Sequence, residues 1–533
     1  MDTEPLHNAI IVWSIAGSDN SAGAGIAADI KTLQSFSSKT QPVHLCTLIT
    51  AVTAQHSNGV DAVMAMPVTL LQQQADALLK DACPAVIKIG LLATAEHVRW
   101  LSLLLVQLRQ QSPTLLVLYD PVAISSSGDR LADAALYQAV FKYLLPQLDI
   151  LTPNLPELWA LTLQAPALSH KTAALQQLFQ AGVKAIIVKG GHSASQSQVV
   201  DELFIASSFR YHGHSAYNNY LALSSPRQHH AFSRGTGCCF SSAVAAALAL
   251  GYPLEDAFVL AKSYINQALH QPFAINANTG CPGHYGIPSD SRYLPTLSET
   301  NPVADVTSSL MQVTPLTLAP AFKPLKAPLG LYVIVPSVEA LKRALAAGVK
   351  TLQLRIKQAT STQLKQDIMQ AIQLCQQHDV QLFINDHWQL ALELGAYGVH
   401  LGQEDITTAD LLALQQAGLR LGVSSHGFYK LLRAQQLQPS YIAIGSIFNT
   451  QTKNMAGKIQ GLHKLKYYCA LFNTVPLVAI GGINADNAHL VLGSGITNLA
   501  VVQAFANATE PQQWVKQMQA LISQHVKGAH HAE

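Results

Sequence analysis

The chain reads as two α/β bodies: an open sheet covered by helices over residues 1–288, and a (β/α)8 barrel over 329–533, with a linker at 289–328. Three observations predict this. A length of 533 residues is more than one hydrophobic core holds together. The stretch 289–328 is rich in Ser, Thr and Pro and carries no sustained hydrophobic period, which marks a connector. Beyond it, short apolar runs recur with helical segments between most of them, and eight such runs in about 200 residues is the count of a closed barrel.

In the first body the strand candidates are 9–15, 43–50, 85–90, 115–120, 150–154 and 185–191, alternating with helical stretches, so helices are expected on both faces of the sheet. In the second they are 331–335, 351–355, 381–385, 398–402, 420–424, 441–445, 477–482 and 498–502. An open doubly wound sheet fits the alternation there as well, but not the count of eight.

Charged residues make up 12% of the chain, against ~25% in a typical soluble protein. A net charge of +2 gives no electrostatic case for nucleic acid or membrane partners. No apolar run approaches the ~20 residues a membrane span needs, and the start MDTEPLHNA has neither the basic end nor the apolar stretch of a signal peptide. The seven cysteines show no C-x-x-C spacing and read as reduced thiols of a cytoplasmic protein.

The first strand runs into GSDNSAGAGIAADIK, a loop of small residues beginning Gly17-Ser18-Asp19. Its Gly23-x-Gly25-x-x-Ala28 imitates a dinucleotide fingerprint, but the glycines start several residues past the strand rather than on its turn. The loop reads either as a plain flexible connector or as backbone that comes close to a small ligand, with Asp29 on the helix that follows. Gly235-Thr236-Gly237-Cys238-Cys239 leads straight into the Ala-rich run FSSAVAAALALG. Glycines at a helix start leave N–H groups facing outward at the positive end of the dipole, a ready anion site. A cysteine there, Cys238, is expected to be partly thiolate, with Cys239 structural; a packing role for Cys238 is the alternative. Asn154 and Glu157 follow one strand and Lys189 another; each is ambiguous alone, but an Asn/Glu pair beside a phosphate loop can organise Mg2+-bound water and Lys189 can neutralise nucleotide phosphate.

Together and in order, IAGSDNSAGAGIAADIKT, TAVTAQ, KIGLL, DPV, LTPNLPE, VKGGH and GTGC resemble the ribokinase-like hydroxymethylpyrimidine and phosphomethylpyrimidine kinases over roughly 9–285. The resemblance implies that Gly17, Asp29 and Gln55 hold the pyrimidine, that Gly235, Thr236 and Gly237 form the anion hole, and that Cys238 deprotonates the substrate hydroxyl. Positioning, charge neutralisation and a modest base are what phosphoryl transfer needs. Two places depart from the family pattern. After Asp120-Pro121-Val122 the chain reads AISSSG without the usual lysine, and Ser233-Arg234 stands where Thr-His is usual.

In the second body the distinctive residues follow the strands, at the rim where barrel active sites lie. Gln353, Arg355 and Lys357 alternate after the second strand; two cations on one side suit a diphosphate. Asn385 and Asp386 follow the third strand and Asp405 the fourth. Two carboxylates held together repel unless a cation or a proton lies between them, and Mg2+ suits such oxygen donors. Ser424 ends the fifth strand, Thr450, Thr452 and Lys453 follow the sixth, Gly482 the seventh, and Val502-Gln503 the eighth.

QLRIK, FINDH, GVHLGQED, LGVSSH, IFNTQTK and AIGGIN resemble thiamine-phosphate synthase over about 329–508. The resemblance implies that Asp386 and Asp405 bind Mg2+, that Arg355, Lys357, Asn385 and Lys453 hold the diphosphate, and that Gln353 and Ser424 lie near the pyrimidine. Thr450, Thr452, Gly482 and the backbone at 502–503 would seat a thiazole phosphate. Ile356 stands where Glu is common, and Gln503 where Ser is frequent.

The two resemblances imply a bifunctional enzyme of thiamine biosynthesis with ATP as co-substrate and Mg2+ as cofactor. Its partners are small-molecule substrates, and a homo-oligomer through the first body is left open. The alternatives are a silent first domain that only binds or assembles, and a kinase for a related ring alcohol such as pyridoxine.

Overall fold

The structure, a computed structural model, describes residues 8–56, 59–122, 133–191, 195, 197–207, 209–211, 214–215, 219–228, 232–276, 279–299, 314–315, 321–357, 359–449 and 459–529. The chain divides into two compact units, Met1–Pro288 with Tyr293–Pro315, and Ser289–Arg292 with Leu316–Glu533. Among the described residues no helix is long and apolar enough to cross a membrane.

In the first unit the strands are β1 (Ile10–Asp19), β2 (Val43–His56), β3 (Gly59–Ala65), β4 (Val86–Ile89), β5 (Leu116–Tyr119), β6 (Ile150–Leu151), β7 (Ala185–Val188) and β8 (Gln198–Ile205). Three more strands, Tyr220–Pro226, Thr296–Glu299 and Thr314–Pro315, continue the sheet beyond β8, making eleven among the described residues. The pairings from β2 through β1, β4, β5 and β6 to β7 are parallel. Those outside them are antiparallel.

β1 lies between β2 and β4, so the chain leaves it first to one side and later crosses to the other. Such a switch opens a crevice at the carboxyl ends of the strands. β4, β5 and β7 are buried along their whole length, as apolar strands covered on both faces must be. The helix Thr236–Ala249 is buried almost throughout, and its small Ala and Ser side chains let neighbours approach from every side.

The sequence reading needs extending here. β3, β8 and Tyr220–Pro226 carry mixed polarity and were not among the expected strands. Thr296–Glu299 falls inside the segment read as linker, yet it pairs with Tyr220–Pro226.

The second unit is a closed barrel whose eight described strands all run parallel. They are, in order, Leu331–Val335, Thr351–Leu354, Gln381–Asn385, Gly398–Leu401, Arg420–Ser425, Tyr441–Ile444, Leu477–Ile480 and Leu499–Val501. Ser337 and Thr360 cap the two helices that follow the first two strands, each accepting from a backbone N–H three residues on.

Three rings fill the barrel interior. Phe383 meets Tyr441 edge-on at 5.0 Å between centroids, and Tyr332 meets Phe383 at 5.9 Å and Tyr441 at 5.7 Å. Two glycines make the room. A Cβ on Gly398 would lie 2.6 Å from the Phe383 ring, and one on Gly422 would lie 2.2 Å from Tyr441 Cζ. Large and small residues thus alternate around the taper.

Candidate functional site

In the first unit the small-residue loop is held by one carboxylate. Asp19 accepts from the backbone N–H groups of Ser21, Gly23 and Ala24 at 2.8, 3.1 and 2.9 Å, and from the Ser21 hydroxyl at 2.7 Å. Arg234, one of the two departures noted in the sequence, donates to the same carboxylate at 3.0 Å. The departure therefore ties the glycine motif to the loop.

Two glycines are required at this junction. Gly25 has φ +55°, and a Cβ there would fall 2.3 Å from the Gly17 carbonyl oxygen. Gly235 has φ +78°, and its Cβ would fall 1.9 Å from the Gly23 carbonyl oxygen. The loop at the end of β1 and the start of the helix Thr236–Ala249 are thus in direct backbone contact.

Around that helix start stand the ends of β5, β6 and β7. Lys189 Nζ lies 3.4 Å from where a Gly237 Cβ would be, and donates to Asp120 Oδ1 at 2.5 Å. Asp120 also accepts from Thr152 Oγ1 and from Ser241 Oγ, both at 3.1 Å. Glu157 lies 3.6 Å from Lys189 and closes a capping box with Asn154. Burial pushes the Glu157 carboxyl up; Lys189 opposes this and Asp120 adds to it. Lys189 is held protonated despite its burial by Asp120 and Glu157. Gly17 and Gly235 are buried and Gln55 half-buried, its backbone N–H donating to Asn20 at 2.8 Å; the Thr236 hydroxyl donates to the Ser233 carbonyl at 2.9 Å. His192 and the AISSSG departure lie outside the described residues.

The surroundings of Asp29 and Cys238 bear on the roles expected of them. Asp29 is fully buried. It is paired with Lys88 at 2.9 Å through both oxygens, and accepts from Ser14 at 2.6 Å and Ser242 at 2.8 Å. Every strong acceptor direction is used inside the protein. The surroundings of Cys238 work against its thiolate. Burial pushes its thiol up to about 11; the Lys88 charge and the Gly25 N–H pull it down, while Asp29 and Asp120 oppose them. Desolvation outweighs the helix start. Cys239 is pushed up to about 12 by the same cause, which fits its structural reading.

In the barrel, Arg355 follows the second strand and its charge bears on both Asp386 and His400. Asp386 sits at φ +63°, a left-handed conformation that Asp tolerates better than most residues. Its carboxyl is raised first by burial, then by Asp405, with Arg355 opposing. The two carboxylates thus share one region of the rim. Asp405 accepts from the Gly402 N–H at 3.0 Å. Asn385 is buried, and Lys357 is exposed.

Gly481 and Gly482 both have positive φ, at 105° and 70°. A Cβ on Gly482 would lie 2.6 Å from the Asn449 carbonyl oxygen, so the chain needs glycine there. Val502 is half-buried and Gln503 exposed at the start of the short helix Gln503–Ala506. Thr450, Thr452 and Lys453 lie outside the described residues.

Gln353 and Ser424 turn inward, joined by residues the sequence reading passed over. Gln353 bonds Tyr332, Tyr332 bonds Tyr441, Tyr441 bonds His400, and His400 bonds Ser424. Burial and the Arg355 charge push His400 down to about 4, so the ring is neutral near pH 7. Tyr332 and Tyr441 are raised by burial and remain phenols.

Among the described residues no three or more His, Cys, Asp or Glu side chains group as a metal site. Asp386 and Asp405 are instead an open pair of hard oxygen donors. That suits Mg2+, which keeps waters and takes its other ligands from phosphate.

Comparison with known proteins gives a result for each unit. The family model for phosphomethylpyrimidine kinase matches residues 19–282, and that for thiamine monophosphate synthase matches 331–505. The thiamine-phosphate synthase of Neisseria meningitidis serogroup A is 50% identical over 200 residues, which is 38% of this chain and 98% of the relative. Among solved structures, phosphomethylpyrimidine kinase from Clostridium difficile 630 is 30% identical, covering 49% of this chain and 99% of its own, with a TM-score of 0.39. The pyridoxal kinase of Staphylococcus aureus in complex with AMP-PCP is 26% identical, covering 52% of this chain and 95% of its own, with a TM-score of 0.45.

Proposed function

Because the chain belongs to the thiamine-phosphate synthase family through its barrel and carries a phosphomethylpyrimidine kinase domain ahead of it, we propose how its two sites divide the chemistry. It is a bifunctional transferase of thiamine biosynthesis. The first site phosphorylates 4-amino-5-hydroxymethyl-2-methylpyrimidine with ATP, then phosphorylates the product again to the diphosphate. The barrel joins that diphosphate to 4-methyl-5-(2-phosphooxyethyl)thiazole, giving thiamine phosphate and pyrophosphate.

In the kinase site the substrate oxygen attacks the γ-phosphorus as the bond to ADP breaks, and the hydroxyl proton passes to the Cys238 thiolate. The N–H groups of Gly235, Thr236 and Gly237 with Lys189 stabilise charge on the transferring group. Cys238 lies where a base is needed. A thiol held near 11 is rarely ionised at neutral pH but strongly basic when it is, so positioning and neutralisation carry most of the rate. Gly17 and Gln55 border the pyrimidine, while Asp29 acts only from beneath, through Lys88 and Ser242.

In the barrel the bond from the pyrimidine methylene to diphosphate breaks first. The electron-rich aminopyrimidine stabilises the resulting cation, and the thiazole nitrogen then attacks it. Arg355, Lys357, Asn385 and Lys453 hold the departing diphosphate, and Gly482 with the 502–503 backbone and Thr450 and Thr452 hold the thiazole phosphate. Asp386 and Asp405 would hold Mg2+, which when bound would supply neutralisation of the leaving-group charge. Gln353 and Ser424 orient the pyrimidine.

The observation that carries this reading is the Asp386 carboxyl, raised by burial and then by Asp405 with Arg355 opposing, a rim that suits a cation and a diphosphate. An anion cradle in the same chain supplies that diphosphate. A silent first domain is disfavoured by the match of residues 19–282 to the phosphomethylpyrimidine kinase family. The test supplies each half of the full-length protein separately. The alcohol with MgATP should accumulate diphosphate, and supplied diphosphate with thiazole phosphate should give thiamine phosphate. Failure of either reaction removes that half of the reading.

A further inference from the structure

The hydrogen-bond chain inside the barrel has a direction, and the direction decides what Ser424 can do. Gln353 Nε2 meets Tyr332 Oη at 2.9 Å, and an amide nitrogen only donates. Tyr332 Oη lies 2.7 Å from Tyr441 Oη. Tyr441 Oη lies 2.8 Å from His400 Nδ1, and His400 Nε2 lies 2.8 Å from Ser424 Oγ. Each phenol has one proton to give. Since Tyr332 accepts from Gln353, its own proton must go to Tyr441; otherwise it is buried without an acceptor, which interiors rarely tolerate. Tyr441 then donates to His400 Nδ1. A neutral imidazole that accepts at Nδ1 carries its proton on Nε2, and that proton goes to Ser424 Oγ.

Several features fix this chain in place. Tyr332 and Tyr441 are fully buried, and the His400 ring stacks on Tyr441 with 23° between planes. Gly422 leaves room for the Tyr441 hydroxyl, 2.3 Å from where its Cβ would be. The Ser424 backbone is pinned too: its carbonyl accepts from Gln403 Nε2 at 2.7 Å, and Arg433 holds Gln403 at 2.9 Å.

We propose that Tyr332 and Tyr441 are positioning residues that hold His400 as its Nε2–H tautomer, so that Ser424 keeps its own hydroxyl proton free to donate to a ring nitrogen of the pyrimidine. This rests on the reading that Ser424 borders the pyrimidine. It adds a specificity rule. The serine's free proton goes to an acceptor, a ring nitrogen, and cannot be given to the exocyclic amine, a donor. A neutral hydroxyl also meets that nitrogen without offering it the full proton of an imidazolium, which leaves the ring electron-rich.

The experiment uses the full-length protein with 15N-labelled histidine, His400 being assigned by its loss in His400→Gln. The nitrogen shifts report the tautomer directly. In parallel, KM for the pyrimidine diphosphate is measured in Tyr441→Phe, Ser424→Ala and the double variant, with Tyr332→Phe as a second interruption of the chain. The expected results are an Nε2–H tautomer in the wild type, a mixture in Tyr441→Phe, and a rise in KM of about tenfold, the size of one lost hydrogen bond. That rise should vanish when Ser424 is already alanine, and Tyr332→Phe should move both readouts the same way by less. An Nδ1–H tautomer in the wild type overturns the inference alone. A Tyr441→Phe penalty that persists in full without Ser424 also overturns it, since the phenol would then be only structural. If the tautomer is Nε2–H but Ser424→Ala leaves KM unchanged, the placement of Ser424 beside the pyrimidine is what fails, and the positioning role fails with it.

Discussion

Replacing Gly235 by alanine tests the kinase site at its tightest point. The new Cβ would lie 1.9 Å from the Gly23 carbonyl oxygen. An ordinary C···O approach is about 3.3 Å, so one of the two segments must retreat by about 1.4 Å. The residue also sits at φ +78°, where a side chain costs about 1–2 kcal/mol, and overpacking adds about 1–3 kcal/mol. The displaced parts are the two that meet at the anion cradle: the loop that Asp19 organises, and the helix start beside Lys189. A misplacement of about 1 Å costs about a hundredfold in rate. Gly235→Ala should therefore cut ADP release with the hydroxymethylpyrimidine alcohol about a hundredfold. The same protein should still make thiamine phosphate from supplied diphosphate at the wild-type rate, which serves as the internal control. Kinase activity within about twofold of wild type would refute the argument that this contact shapes the cradle.

Three further outcomes follow from the same geometry. Lys88→Met leaves Asp29 buried and unpaired, and should destabilise the first unit by about 3–5 kcal/mol in denaturant unfolding; adding Asp29→Asn should restore much of it. Asp386 has a raised carboxyl pKa, so between its unfolded and folded values the native state holds a proton that the unfolded chain has lost. The Mg2+-free barrel therefore loses stability as pH rises through that window, and Asp386→Asn should raise its Tm at pH 7 while abolishing any Tm gain from Mg2+. Alkylation of Cys238 by iodoacetamide, followed by peptide mass spectrometry, should rise with pH toward a midpoint near 11; a midpoint below 8 would restore the activated thiolate.

How far the sequence disclosed all this depended on where the partners of each residue lie. β1, β4, β5 and β7 and the eight barrel strands were legible because parallel strands buried on both faces are short continuous apolar runs. β8 and Tyr220–Pro226 were not, because antiparallel edge additions mix polar and apolar positions. Rim residues such as Asp386 and Arg355 could be placed from their position just after a strand. Asp29 could not, since its partner Lys88 is 59 residues away and reads as part of an apolar strand. Tyr332, Tyr441 and His400 were hidden for the same reason: inside strands they look like core filling, and only closure of the barrel joins them to Gln353 and Ser424. Arg234 stood out in the sequence only as a departure from the family pattern, and the structure gives it a partner in Asp19.

The central claim is that one chain both makes a pyrimidine diphosphate and spends it. The most direct measurement gives the full-length protein only the hydroxymethylpyrimidine alcohol, MgATP and the thiazole phosphate, and follows thiamine phosphate by mass spectrometry. Thiamine phosphate should form, with two ADP released for each molecule made. Thiamine phosphate that appears only when the diphosphate itself is added would contradict it.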